Sequence, residues 1–337
     1  MPYIKYFLST GLLTILLFFF LNLFLQPLSG DLTRLGNFSE NDFGWNAEQP
    51  KLAIRGQDEI TPNVIVLGDS FSAGNVWQSE VMMKGEYRLL TFQWDNPENL
   101  ERWIISLKKD YPTTQYVIVE TVERAFINRF NTTQSTTSYI KLTPQKTVPH
   151  YTASKRVIEV PYTLADPRYV IGATINAQRN FSETTASGQT FVSPLNRKGL
   201  FSNKRSDLLL YYTDDNLKKN WRLDELKKGV SNIKRMQESA KRSGIVLIIA
   251  VVPDKSTTYG GFFISPQFVP QIPDVWEELK KQDINHINLK NTLISSVDKT
   301  QDLYLPNDTH FSTKGFMLMG NAVVQALKEI HSIGTEK

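Results

Sequence analysis

The chain has 337 residues, enough for one large α/β domain or two small ones. Apolar residues make up 41% and charged residues 21%, the balance of a globular protein, and the net charge of +4 is spread thinly, with no dense basic run to track a phosphate backbone, which argues against nucleic-acid binding. There is no cysteine, which excludes disulfides, thiolate zinc sites and a cysteine nucleophile, and the four histidines (150, 286, 310, 331) include no pair at ligand spacing, so no metal site is expected.

Residues 6–28 carry no charge over 23 positions, and a membrane span needs about 20 apolar residues. Lys5 precedes this run, while Asp31, Arg34, Glu40 and Asp42 follow it, which favours a cytoplasmic N-terminus with the rest of the chain outside. The run ends in Gln26-Pro27-Leu28-Ser29-Gly30, a poor signal-peptidase site, so an uncleaved single-pass anchor over residues 1–30 is expected. Residues 31–60 are polar and read as a linker. A domain over 61–335 follows.

Within that domain, Asn63–Leu67 is a short apolar, β-branched run, as in a strand buried on both faces of a parallel sheet. Residues 97–109 place Leu100, Trp103, Ile104 and Leu107 on one helical face; Tyr116–Glu120 reads as a second buried strand. A helix over 224–243 ends at Gly244, and Ile245–Val252 is the clearest strand. A helix over 274–281, a short strand at 286–289 and a helix over 313–332 complete the alternation. This pattern predicts a doubly wound, mainly parallel α/β sheet, with ligands at the strand carboxyl edge. The Thr-, Ser- and Asn-rich stretch at about 130–215 breaks the rhythm and reads as an insertion of strands and loops.

Two motifs carry chemistry. Gly68-Asp69-Ser70 follows the first strand, where a serine on a tight turn exposes its hydroxyl at the ligand edge and its amide can hold an oxyanion. Near the other end stands Asp308-Thr309-His310-Phe311; a neutral histidine takes a proton from serine, and a carboxylate fixes its tautomer. Each motif alone also reads as turn and cap chemistry; together they point to nucleophilic serine catalysis with Ser70, His310 and Asp308. Lys255, after the late strand, is a candidate for binding an anionic sugar or for pairing with Asp254. Trp77 is a candidate sugar-stacking surface, ahead of Trp94, while Trp103 reads as core.

These residues resemble the SGNH (GDSL-type) hydrolase superfamily over roughly 60–130 and 240–330. Asp308–Phe311, the Val119–Arg124 strand end and Pro253-Asp254-Lys255-Ser256 are similar to motifs of the O-acetyltransferases of alginate and related exopolysaccharides, a branch that also carries N-terminal anchors. Three departures stand out: the pair is Asp-x-His rather than Asp-x-x-His, the serine comes first in the chain, and no Gly-x-Asn-Asp block supplies an oxyanion asparagine. The resemblance implies that Arg124 or Gly74 lines the site. It implies O-acetyl transfer to a cell-surface or exported polysaccharide through an acyl-serine, without a cofactor, on the periplasmic side of the inner membrane, with a membrane-bound protein relaying the acyl group. A plain SGNH esterase and a non-catalytic polysaccharide binder are the alternatives.

Overall fold

The computed structural model describes residues 2–24, 29–94, 99–131, 142–156, 166–265 and 272–335. Its centre is a five-stranded sheet of β1 (Val64–Gly68), β2 (Leu89–Gln93), β3 (Tyr116–Val122), β4 (Val246–Val252) and β5 (His286–Ile287). The spatial order is β2-β1-β3-β4-β5 and every pairing is parallel, with Val64 opposite both Leu89 and Tyr116 and Ile118 opposite Ile248. Side chains alternate between two cores, as the pleat requires. Val64, Val66, Ile248, Ala250 and Val252 face one core, and Ile65, Leu67, Leu247, Ile249 and Val251 face the other.

Helices cover both faces, so the doubly wound α/β expectation holds. Helix α1 is the N-terminal Pro2–Phe24 segment, and α2 is Val76–Lys84. The remaining long helices are α3 (Leu100–Asp110), α4 (Pro167–Gln178), α5 (Leu223–Arg242) and α6 (Thr313–Thr335). Trp77 and Val81 of α2 and Met319, Val323 and Leu327 of α6 fill the first core; the apolar stripes of α3 and α5 fill the second. Observed ends of β1, β3, β4, α3, α5 and α6 lie within three residues of the sequence reading. Asn99 caps α3 by accepting from the Arg102 amide, whereas Pro97 lies outside the described residues.

Helix α1 holds a window, Tyr3–Leu21, of mean hydropathy 2.0 that is long and apolar enough to cross a membrane. The helix starts four residues before the predicted run, and residues 25–28 lie outside the described ones.

The predicted linker at 31–60 is instead part of the folded body. Short helices span Asp31–Gly36 and Glu40–Phe43, and Leu32, Phe38 and Phe43 enter a third core with Phe181, Val192, Leu208 and Leu210. Some of its polar side chains are themselves buried, notably Glu40, which accepts from the Ser29 and Gly30 amides, the Ser29 and Thr33 hydroxyls and Asn307 Nδ2. The insertion contributes α4 and an antiparallel sheet of residues 185–187, 190–194 and 208–212, and its strand His150–Tyr151 pairs with Ala53–Ile54.

Trp77 is no sugar platform: it is 0% exposed, packed in the first core, and its indole N–H donates to Ser72 Oγ at 3.2 Å. A stacking surface needs an exposed ring, and this one is a wedge under the turn that carries Ser70 and Ser72. Trp77→Ala should therefore cost about 3–5 kcal/mol of stability, read as a fall in the denaturant midpoint; an unchanged midpoint would contradict its placement in the core.

Candidate active site

Strand β1 delivers the site. It ends at Gly68, and Ser70 stands exposed on the turn that follows, at the carboxyl edge between β1 and β3 where the strand order reverses. Gly68 is required for space: a Cβ there would collide with Ser72 Oγ and Glu120 Oε2. Asp69 fastens the turn. Its Oδ1 accepts from the Phe71 amide at 3.1 Å, and its Oδ2 accepts from the Val122 amide at 2.8 Å and from Arg129 at 2.7 Å. Glu120 Oε2 accepts from the Asp69 amide at 2.9 Å and Ser72 Oγ at 2.8 Å. Among the described residues no hydrogen bond occupies the Ser70 amide, which leaves that donor available at the turn.

The last loop before α6 brings the other half, 240 residues away in sequence. His310 Nε2 lies 2.8 Å from Ser70 Oγ, and its Nδ1 lies 2.6 Å from Asp308 Oδ1. Since an ionised carboxylate can only accept, Nδ1 carries the proton and Nε2 is left to accept from the serine hydroxyl. The Asp-x-His spacing closes a small ring, because the His310 amide also donates to Asp308 Oδ1 at 2.9 Å. Phe71 packs against the imidazole, with ring centroids 5.0 Å apart.

Sequence reasoning missed Asp31. Its carboxylate accepts from the Thr309 amide at 2.8 Å and hydroxyl at 2.6 Å, and lies 3.9 Å from His310 Nδ1, while its amide donates to Asp308 Oδ2 at 3.3 Å. No local signal could have exposed it, since its partners are 277 and 278 residues away. Asp31, Asp308 and His310 place ligand-type atoms within 4.8 Å of one another. The Asp308–His310 bond already occupies two of those atoms, so the cluster fits a hydrogen-bonded relay better than a metal cage.

Electrostatics follow this layout. Burial opposes charging of His310, but the hydrogen bond and charge of Asp308, with Asp31 behind it, outweigh it and raise the imidazole pKa above 6.5. Burial also works against ionised Asp308, yet the bond and charge of His310 hold its carboxyl below the usual range. Burial and the neighbouring Asp308 push Asp31 up. Glu120, fully enclosed and beside Asp69, is pushed well above its ordinary value.

The other sequence candidates have different occupations. Lys255, 2% exposed, donates to the carbonyls of Leu305 at 2.7 Å, Pro306 at 3.1 Å and Asp308 at 3.0 Å. It props the histidine loop from beneath rather than meeting a sugar, and burial lowers its pKa to about 7. Arg124 is gripped by Asp254 at 2.6 Å and Asp215 at 3.3 Å and lies over the Tyr212 ring. Lys218, also buried, joins Glu123 and Asp254 at 2.8 and 2.7 Å. The two motifs after β3 and β4 thus lock the strand ends to the insertion, and Arg124 has no described contact with Ser70. Gly74 is exposed on the turn after the serine. Trp94 follows β2 at the same edge, with Arg129 4.7 Å above its ring.

The result is an α/β domain in which a serine after β1 of a parallel sheet is met by a histidine on the final loop. Residues 206–337, which carry β4, Lys255 and the Asp308–His310 loop, match the family model described as SGNH hydrolase-like domain, acetyltransferase AlgX. No curated protein matches the chain. Two solved structures are distantly similar at 12% identity and a TM-score of 0.36, each over 82% of this chain. One is a protein of Bacteroides fragilis assigned as an acylhydrolase, covered over 91% of its length. The other is the YxiM protein of Bacillus subtilis, covered over 58%.

Two measurements test these electrostatics. In an NMR titration of the four histidines, His310 should titrate above 6.5, and Asp31→Asn should lower its midpoint, because an anion that favours the imidazolium is removed; a midpoint unmoved by the substitution would remove Asp31 from the relay. Glu120 keeps a proton in the folded state that the unfolded chain loses above about 4.5, so it erodes stability as pH rises through that window. Glu120→Gln should therefore gain melting temperature over the wild type at pH 8 and gain less at pH 5.

Proposed function

We propose that this protein is a membrane-anchored, extracytoplasmic O-acyltransferase that moves an acetyl group onto a cell-surface or exported polysaccharide. The observation that carries the reading is the continuous hydrogen-bonded series Ser70–His310–Asp308 at the open carboxyl edge of the sheet. Ser70 Oγ attacks the donor carbonyl while its proton passes to His310 Nε2. The Ser70 amide holds the developing oxyanion, and Asp308 steadies the imidazolium. The oxyanion collapses, the leaving group departs with the proton from His310, and Ser70 is left as an ester. A sugar hydroxyl then gives its proton to His310 Nε2 and attacks the ester carbonyl. Ser70 Oγ leaves and recovers that proton.

The preference for transfer over hydrolysis rests on the acetyltransferase description of the matched family and on the apolar helix α1. Acyl-CoA donors are cytoplasmic, so an extracytoplasmic site needs a membrane protein to pass the acyl group across.

The test uses the full chain in detergent with p-nitrophenyl acetate and an oligosaccharide. Wild type should gain one acetyl group at Ser70 and pass it to the sugar. Ser70→Ala should fold normally and lose on the order of 10⁶-fold in rate. Labelling that survives Ser70→Ala would end the triad assignment. An acyl-enzyme that releases only acetate, with every acceptor tried, would make the protein an esterase.

A further inference from the structure

Helix α4 is held on two sides and bare on a third. Toward the domain, Tyr169 Oη donates to the Phe38 carbonyl at 3.0 Å, and Asn176 Nδ2 donates to the Asn37 carbonyl at 2.9 Å and Ser187 Oγ at 3.0 Å. Toward the N-terminal helix, Tyr169, Val170 and Ala173 form a small apolar cluster with Phe18 and Leu21 of α1. The third side carries Ile171 and Ile175, 59% and 60% exposed, one helical turn apart on one face. Exposed Arg168 and Arg179 stand at its two ends.

Two bare isoleucines are ordinary on a soluble surface; their position is what sets these apart. Phe18 and Leu21 belong to or border the apolar window Tyr3–Leu21, three and six residues short of the helix end at Phe24. At 1.5 Å per residue, α4 therefore meets α1 about 5–9 Å below that end. This is the depth at which interfacial helices bury an apolar face, about 5–10 Å into the headgroup–acyl boundary.

We propose that α4 is an interfacial membrane helix, with Ile171 and Ile175 seated in lipid and Arg168 and Arg179 reaching lipid phosphates from its ends. The inference rests on reading α1 as a membrane anchor. The domain then stands on the bilayer at two points rather than swinging from one tether. Asp31 lies seven residue steps after Phe24, and a chain spans at most about 3.6 Å per residue. The Asp31–Asp308–His310 cluster is thereby held within about 25 Å of the end of the span.

The absence of cysteine makes the test clean. The full chain is reconstituted into phosphatidylcholine–phosphatidylglycerol vesicles, with one cysteine per variant carrying an environment-sensitive fluorophore. Ile171→Cys and Ile175→Cys probe α4. Leu13→Cys probes the span, and Lys241→Cys lies at the opposite edge of the sheet, before β4. With doxyl-labelled lipid, loss of emission at 171 and 175 approaching that at 13, with a blue shift and an unchanged signal at 241, is the expected result. Quenching at 13 with 171 and 175 no more quenched than 241 would overturn the seating of α4 and leave the anchor standing. No quenching at 13 would overturn the anchor and this inference with it.

Discussion

The interlock between residues 29–33 and the loop 305–310 is the constraint on which the site depends. The Asn307 carbonyl accepts from the Leu32 and Thr33 amides, and its side chain donates to Ser29 and to buried Glu40. Asp31 takes both donors of Thr309. Gly30 crosses Asn307 so closely that a Cβ would overlap its carbonyl. From below, the Lys255 ammonium gathers three carbonyls of the same loop. A loop without regular structure thus holds its histidine at hydrogen-bond distance from a serine that comes from the far side of the sequence. Buried hydrogen bonds across the interlock do the holding, and each donor or acceptor would be costly to leave unpaired.

Charge is arranged in layers around Ser70. Asp69 and Arg129 pair beneath the turn, with Glu120 behind them; Glu123, Arg124, Asp215, Lys218 and Asp254 form a second cluster between β3, β4 and the insertion. Burying such pairs adds little net stability, but losing one partner strands a charge. Their use here is geometric: they fix where the carboxyl ends of β1, β3 and β4 stand relative to one another, and the serine, the arginines and Lys255 all hang from those ends.

Much of this was legible in the sequence, for physical reasons that differ by element. The strands β1, β3 and β4 are apolar runs buried on both faces, and α3, α5 and α6 repeat apolar residues every three or four positions, so local pattern and tertiary role coincide. Ser70, Asp308 and His310, which the structure brings together, could be picked out as candidates because the Gly-Asp-Ser turn and the Asp-x-His loop are each local in sequence. Asp31 and Glu40 were not, because a buried polar residue and a linker residue look alike until the partner is known. Lys255 was assigned to an anion for the same reason, when its partners are carbonyls. Trp77 misled because its burial depends on α6, which packs over it from the other end of the chain. The antiparallel sheet at 185–212 was anticipated only as unplaced strands of an insertion, because its strands are short and the first two carry Thr and Ser.

The interlock of residues 29–33 with the loop 305–310 also decides where the chain can be cut. A soluble version begun just before β1, the obvious start if residues 31–60 were a linker, would discard Asp31, Glu40, Phe38 and Phe43 together. It would leave Asn307 and Thr309 facing water and open the third core. A version begun between residues 25 and 28 keeps all of these, and sheds the apolar helix with its contact to α4. The folded body therefore begins by Ser29, a few residues after the apolar helix, and inactivity of the shorter version would say nothing about Ser70.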